Sequence, residues 1–275
     1  MADLLRPATH RSPPAPAPDL TCEIKALDTV AELIESYRLR HEVYSSLGYI
    51  RSFNQSRLEI DAYDALSIPF GAFDPISGEM IGTLRLITTE AQPDYERLIR
   101  RLLANFADED LTKQALAPWS HPLPSIISDE INRQIEVFNT DRFLVRELSR
   151  TIVRPGHRGS GISRGLMEFG LAHAAQVAPV VLVGGCLPVH LPMYARYGYL
   201  KLPETGLDHF DSVGQIANTL VCRTDVLPPP TQGHVDELLH SMEAGTTECT
   251  LDIGRDSRAL YRFAPRRARR RTMEW

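Results

Sequence analysis

Along this chain the spacing of apolar positions switches repeatedly between a period near two and a period near 3.6, and each switch marks an element. Residues 21–27 read as a strand. Val30, Leu33, Ile34, Tyr37, His41 and Tyr44 then fall at helical spacing and predict a helix over 29–46. Residues 67–73 and 80–88 are apolar runs around the turn residues Asp74, Pro75, Ser77 and Gly78, which predicts a hairpin with a loop longer than two residues. A helix follows over 95–106. Residues 107–140 hold further helical stretches, broken by Pro118, Pro122 and Pro124. The run 143–153 reads as a strand ended by Pro155 and Gly156. Ile162, Leu166, Phe169 and Ala172 mark the next helix. A short apolar strand at 180–183, a short helix, and a last strand over 216–226 complete the pattern before Pro228, Pro229 and Pro230. Residues 233–243 read as a helix, and the pattern beyond them specifies little. The whole is a mixed α/β layered sheet without internal repeats.

The 275 residues suffice for one large domain with tails. Residues 1–19 carry Pro7, Pro13, Pro14, Pro16 and Pro18 and read as a disordered or extended Pro/Ala-rich arm. We expect one domain over 20–230, with a helical insertion about 94–140, then an extension over 231–275 that ends in an arginine-rich tail. That tail holds Arg266, Arg267, Arg269, Arg270 and Arg271. It reads as a solvated end, with a docking strip for an acidic partner as the alternative. Net charge is −5, so the chain as a whole does not read as a nucleic-acid binder. The four cysteines show neither Cys-x-x-Cys nor other metal-ligand spacing, so no metal is expected and a reduced, cytoplasmic setting is. No apolar run approaches the ~18–20 residues that cross a bilayer, and the N-terminus is not patterned as a signal peptide.

Candidate chemistry begins where the strand over 143–153 meets the following helix. Arg158, Gly159, Ser160, Gly161, Ile162 and Ser163 form a small-residue loop at a helix start. Unpaired N–H groups and the helix dipole there make a seat for phosphate, and Arg158 and Arg164 add positive charge. The loop lacks the Gly-Lys-Ser/Thr of a P-loop and is not Gly-x-Gly-x-x-Gly. An ordinary strand-to-helix turn is the plainer reading. The loop resembles the donor motif Arg/Gln-x-x-Gly-x-Gly/Ala of the GNAT acyltransferase superfamily, with Ser163 at the last position. Downstream, Tyr194-Ala-Arg-Tyr-Gly198-Tyr199 resembles the GNAT element Tyr-x-x-x-Gly-Phe, whose tyrosine protonates the departing thiolate. The resemblance implies a GNAT fold: a mixed, mostly antiparallel sheet with helices on both faces, whose fourth and fifth strands splay to admit the donor arm. It also implies acyl-CoA or the phosphopantetheine of an acyl carrier protein as co-substrate, with no permanently bound cofactor.

A second constellation lies upstream. Arg40 and Tyr44, then Glu59, Asp61 and Asp64, then Arg85, then Glu147, Ser149 and Arg150 set charges of both signs among apolar residues. A charge buried alone is costly, so these must pair or face a cleft. A buried salt-bridge network that includes Arg85, Glu147 and Arg150 is one reading; an acceptor-site cage is the other. Their order resembles the acyl-homoserine-lactone (autoinducer) synthases and the long-chain N-acyl amino acid synthases. Two departures from the autoinducer synthases stand out: Phe143 sits where they often carry a carboxylate, and Tyr49 is the nearest match to their N-terminal Trp. These favour the N-acyl amino acid branch, or a GNAT enzyme with another acceptor. The resemblance then implies an N-acyltransferase that moves an acyl group from a pantetheine thioester to the amine of a small molecule, an amino acid. An autoinducer synthase and a non-catalytic GNAT-like binding protein are the alternatives.

Such chemistry needs a base for the amine, a donor for the tetrahedral oxyanion and an acid for the thiolate. Glu147, the backbone N–H near Val153 and Tyr194 take these roles, and the loop 158–163 anchors the donor phosphates. Arg40, Tyr44, Asp61, Asp64, Arg85 and Arg150 are the substrate-side candidates. Arg154, His157, Arg158 and Arg164 would offer an acidic carrier protein a basic landing site. Cys186 and His190 lie close in sequence, but a small buried cysteine after a strand is commoner than a nucleophile. His234 and His240 read as surface residues.

Overall fold

The computed structural model describes residues 20–50, 54–119, 121–202, 208–210, 215–253 and 259–263. The Pro/Ala-rich arm and the arginine tail lie outside them.

β1 (Leu20–Ala26) leads into α1 (Val30–Ser46), whose first turn is capped by the Thr29 side chain accepting from the Glu32 N–H. The hairpin of β2 (Ser67–Phe73) and β3 (Met80–Ile87) follows. The predicted helical stretch resolves into α2 (Pro93–Ala104), α3 (Glu109–Ala115) and α4 (Asp129–Phe138). Then come β4 (Leu144–Val153), α5 (Ile162–Ala175), β5 (Val180–Cys186) and α6 (Leu191–Ala195). The chain closes with β6 (Leu200–Lys201), β7 (Asp208–Phe210), β8 (Gln215–Arg223), α7 (Pro229–Glu243), β9 (Glu248–Ile253) and β10 (Ala259–Phe263).

The strands form one sheet in the order β10-β9-β1-β2-β3-β4-β5-β8-β6, with β7 on β8. Every pairing is antiparallel except β4 with β5. α5 packs on one face, where Phe169 and Leu166 meet Ile24, Phe70, Leu84 and Leu148. It lies close because two of its residues lack side chains. A Cβ on Gly165 would sit 2.2 Å from Leu251, and one on Gly170 would sit 2.7 Å from Leu84. α1, α2 and α3 cover the other face around Leu27, Met80 and Ile152, and α4 covers Val181, Val183 and Val221.

The sheet does not stop at the Pro228–Pro230 break. β9 pairs along the free edge of β1 from Leu20↔Ile253 to Lys25↔Glu248, and β10 pairs with β9. The segment 248–252 alternates in burial: Cys249 and Leu251 face the core between more exposed neighbours. That period of two was present in the sequence, but its partner strand lies at the opposite end of the chain.

Candidate active site

The site is a fork in the sheet. β4 and β5 pair from Leu144↔Val180 to Glu147↔Val183 and no further. Beyond that point β4 follows β3 to Val153, while β5 follows β8 to Cys186. The local cause is Arg150, which has φ +58, coinciding with a register skip against Thr83 and Arg85. This is a β-bulge, which bends a strand and re-aims a side chain. Leu148 packs under α5, and Thr151 Oγ1 lies 3.5 Å from Met167 Sδ on α5. Arg150 instead points to the opposite face. The fork opens a cleft of about 490 Å³, walled by Ser149, Arg150, Thr151 and Val153 on one side and by Gly185 and Cys186 on the other.

The predicted phosphate loop stands at one mouth of this cleft. Gly159 (φ +79) and Gly161 (φ +88) adopt left-handed conformations that favour glycine. Gly161 is the N-cap of α5, and no side chain caps that helix. The first-turn N–H groups are therefore available to an anion. Arg158 and Ser163 line the cleft, and Arg158 Nε donates to the Val153 carbonyl at 3.3 Å. The Ser160 hydroxyl donates to the His157 carbonyl. Ile162 turns into the core and offers only its backbone. Arg164 departs from expectation: its Nε donates to Glu168 Oε1 at 3.0 Å and its Nη2 meets His234 Nδ1 at 3.0 Å. Its charge is drawn to a buried carboxylate, and His234 is part of that cluster rather than a plain surface residue.

At the end of β4 the Arg154 N–H donates to the Ile81 carbonyl at 2.9 Å, toward β3. Successive N–H groups of an extended strand alternate sides, so the Val153 N–H faces the cleft. On the facing wall stand Cys186, His190, Met193 and Tyr194. Tyr194 is buried edge-on against Tyr199, ring centroids 5.4 Å apart. Burial and the neighbouring Cys186 push its phenol up, partly offset by a hydrogen bond with Thr151. It is a neutral O–H that can give a proton. Burial also pushes the Cys186 thiol up to about 11, so the thiolate that covalent catalysis needs is scarce at neutral pH.

Glu147 sits at the vertex of the fork, 2 % exposed. The predicted ion pairing with Arg85 and Arg150 is not what holds it. Ser125 does: its N–H donates to Oε2 at 2.9 Å and its hydroxyl to Oε1 at 3.0 Å. Burial pushes this carboxyl up to about 7, against the pull of the Ser125 bonds and the more distant Arg85 and Arg150. A carboxyl poised there can accept a proton at neutral pH.

The remaining charges close on themselves. Arg40 holds Asp64 through two bonds of 2.8 and 3.1 Å and holds Glu59 through Nε. Arg85 holds Asp61 at 2.6 and 2.9 Å, and its Nε donates to Ser149 Oγ at 2.9 Å. Arg150 holds Glu59 at 3.0 Å and Asp61 at 2.9 Å. Burial of Asp61 is overcome by the Arg85 and Arg150 guanidinium groups, which keep its carboxyl well below the usual range. Three cations thus balance three anions, with Arg150 in the cleft wall and the other five residues behind it. Of the substrate-side candidates only Tyr44 and Arg150 line the cleft, with the Arg150 guanidinium 5.6 Å from the Tyr44 ring. Arg40, Asp61, Asp64 and Arg85 form the network behind them.

Among solved structures, FeeM, an N-acyl amino acid synthase from uncultured soil microbes, superposes with a TM-score of 0.51 at 15 % identity, covering 74 % of this chain and 91 % of FeeM. The chain has the GNAT fold. The CoA-dependent acyl-homoserine lactone synthase BjaI gives a TM-score of 0.47 at 15 % identity, over 80 % of this chain and 90 % of BjaI. TofI, solved in a ternary complex with an inhibitor and MTA, gives a TM-score of 0.47 at 16 % identity, over 79 % of this chain and 96 % of TofI. No family profile and no curated protein matches the sequence.

In this GNAT-fold chain one site residue, Ser125, had escaped the sequence, and two that it named, Glu59 and Tyr49, take places that it did not give them. Ser125 comes from the loop between α3 and α4, where no motif marks it. Glu59 was visible in the acidic cluster but not as the link between Arg40 and Arg150. Tyr49 lines the cleft beside Tyr44, ring centroids 5.8 Å apart.

Proposed function

We propose that this protein is an N-acyltransferase that moves an acyl group from a pantetheine thioester to the amine of a small molecule, an amino acid. The observation that carries this reading is the fork itself. It sets a carboxyl with a pKa of about 7 at its vertex, a neutral phenol on one wall and an uncapped helix N-terminus at its mouth. The first turn of α5 holds the donor phosphates, with Arg158 beside them. The thioester lies along β4, where the Val153 N–H meets the carbonyl oxygen as it becomes an oxyanion. The acceptor enters as the free amine from the side of Tyr44 and Tyr49. Its nitrogen lone pair attacks the carbonyl carbon, the proton released from nitrogen as the C–N bond forms passes to Glu147, the C–S bond breaks, and Tyr194 protonates the thiolate. Coenzyme A and acyl carrier protein share the pantetheine that this cleft would admit. The basic side chains near the loop suit an acidic carrier protein, though Arg164 is committed to Glu168. A cytoplasmic location, where both donors occur, accords with this chemistry.

The test is mass spectrometry of organic extracts from an expressing host, paired with thiol release from octanoyl-CoA and octanoyl carrier protein. Acyl-amino acids are the expected product, and acyl-lactones would move the protein to the autoinducer branch. No acylated amine and no thiol release with either donor would overturn an enzymatic role.

A further inference from the structure

Tyr199 stands where the GNAT element resembled by residues 194–199 has Phe, so its hydroxyl is an addition of this chain. Tyr199 is 3 % exposed, and among the described residues its Oη has no hydrogen-bond partner. A buried hydroxyl without a partner is costly, and ordered water is the usual remedy. The surroundings are built for one. A Cβ placed on Gly184 would lie 3.8 Å from Tyr199 Cε1 and 3.5 Å from the Leu148 carbonyl oxygen. Gly184 directly follows Val183, the last residue of β5 paired with β4, opposite Glu147. The hydroxyl end of Tyr199, an acceptor carbonyl and a missing side chain therefore meet at the vertex of the fork. Asn218, 2 % exposed and cross-strand from Cys186, carries a second orphaned donor, Nδ2.

We propose that Tyr199 is a positioning residue that holds a structural water against the Leu148 carbonyl at the vertex of the β4–β5 fork, and that this water passes the proton from Glu147 back to Tyr194. The inference rests on the acyl-transfer reading above. The balance closes. One amine proton goes to Glu147 as the C–N bond forms, and the Tyr194 proton goes to sulfur as the C–S bond breaks. Transfer from Glu147 through the water to the Tyr194 phenolate restores both groups without exchange with bulk solvent.

Two measurements test it. A crystal structure of the full chain should show a water bonded to Tyr199 Oη and the Leu148 oxygen; a dry vertex overturns the proposal whether or not any substrate is turned over. The second compares Tyr199→Phe and Gly184→Ala in octanoyl-CoA thiol release with the twenty amino acids as acceptors. The Gly184→Ala methyl makes only ordinary contacts and occupies the water's place. Both variants should lose roughly 10-fold or more in kcat, short of the ~10²–10⁴ of a group that transfers the proton itself. KM for the donor should hold, and added imidazole should restore part of the rate. Wild-type kcat in both variants overturns the water's role. So does a loss accompanied by a lower Tm and no response to imidazole, which marks packing. Tyr194→Phe, run alongside, separates the readings: slow Tyr194→Phe with wild-type Tyr199→Phe removes this inference and leaves the acid assignment standing.

Discussion

Ser125 grips both carboxylate oxygens of Glu147, one through its main-chain N–H at 2.9 Å and one through its hydroxyl at 3.0 Å. The loop between α3 and α4 thereby reaches into the fork and holds this carboxyl in place. Because these bonds favour the ionised form, they oppose the burial that pushes this carboxyl up to about 7.

The rate of acyl transfer should therefore rise with pH through about 7, where Glu147 loses its proton. Glu147→Gln should remove that limb and lower the rate by ~10²–10⁴, with partial recovery as pH rises and more acceptor is free amine. Ser125→Ala should move the limb to higher pH. Stability should follow the opposite sign. A carboxyl raised in the folded state contributes most below its unfolded value of 4.5 and loses that contribution as pH rises toward 7. Thermal melts from pH 4 to 8 should show the wild type losing stability relative to Glu147→Gln; parallel curves would refute the raised pKa.

Tyr194→Phe removes one hydroxyl from a buried ring that packs edge-on against Tyr199. Packing should survive. Turnover should fall by ~10²–10⁴, with donor affinity unchanged by calorimetry. Full turnover would take Tyr194 out of the mechanism.

Gly161→Val places a β-branched side chain at φ +88, where under the proposed function a donor phosphate would approach the first N–H groups of α5. The left-handed conformation costs a non-glycine residue about 1–2 kcal/mol, so the variant should fold with a lowered Tm. Binding of coenzyme A and of acyl carrier protein should be lost together. Retention of both affinities would show that the phosphates sit elsewhere.

Arg85→Met leaves Asp61 short of its two-bonded partner and removes one of the cations that Asp64 faces. With Arg85 1 % exposed, the loss should be ~3–5 kcal/mol in urea unfolding. A midpoint equal to that of the wild type would mean that the network contributes nothing to the fold.

Most elements up to residue 243 were legible in the sequence because they follow from local periodicity; the short strands β6 and β7 and the closing strands β9 and β10 were not. The helical spacing of Val30 to Tyr44, the hairpin around Asp74 to Glu79 and the strand–loop–helix through Gly161 each depend on residues near one another along the chain. The loop chemistry was legible for the same reason: Gly159, Ser160 and Gly161 are adjacent small residues immediately ahead of a helix start. Tertiary structure alone decided what pairs across the chain. Only a bulge at Arg150 turns its guanidinium toward Glu59 and Asp61 and parts β4 from β5. Only packing brings Ser125 onto Glu147, draws Arg164 to Glu168 and lays β9 along β1. The order of charges showed that Arg40, Asp61, Asp64 and Arg85 must be neutralised, since burying them otherwise is too costly. Whether that neutralisation came from a substrate or from one another depended on which side of the cleft wall they occupied, and no local pattern carries that information.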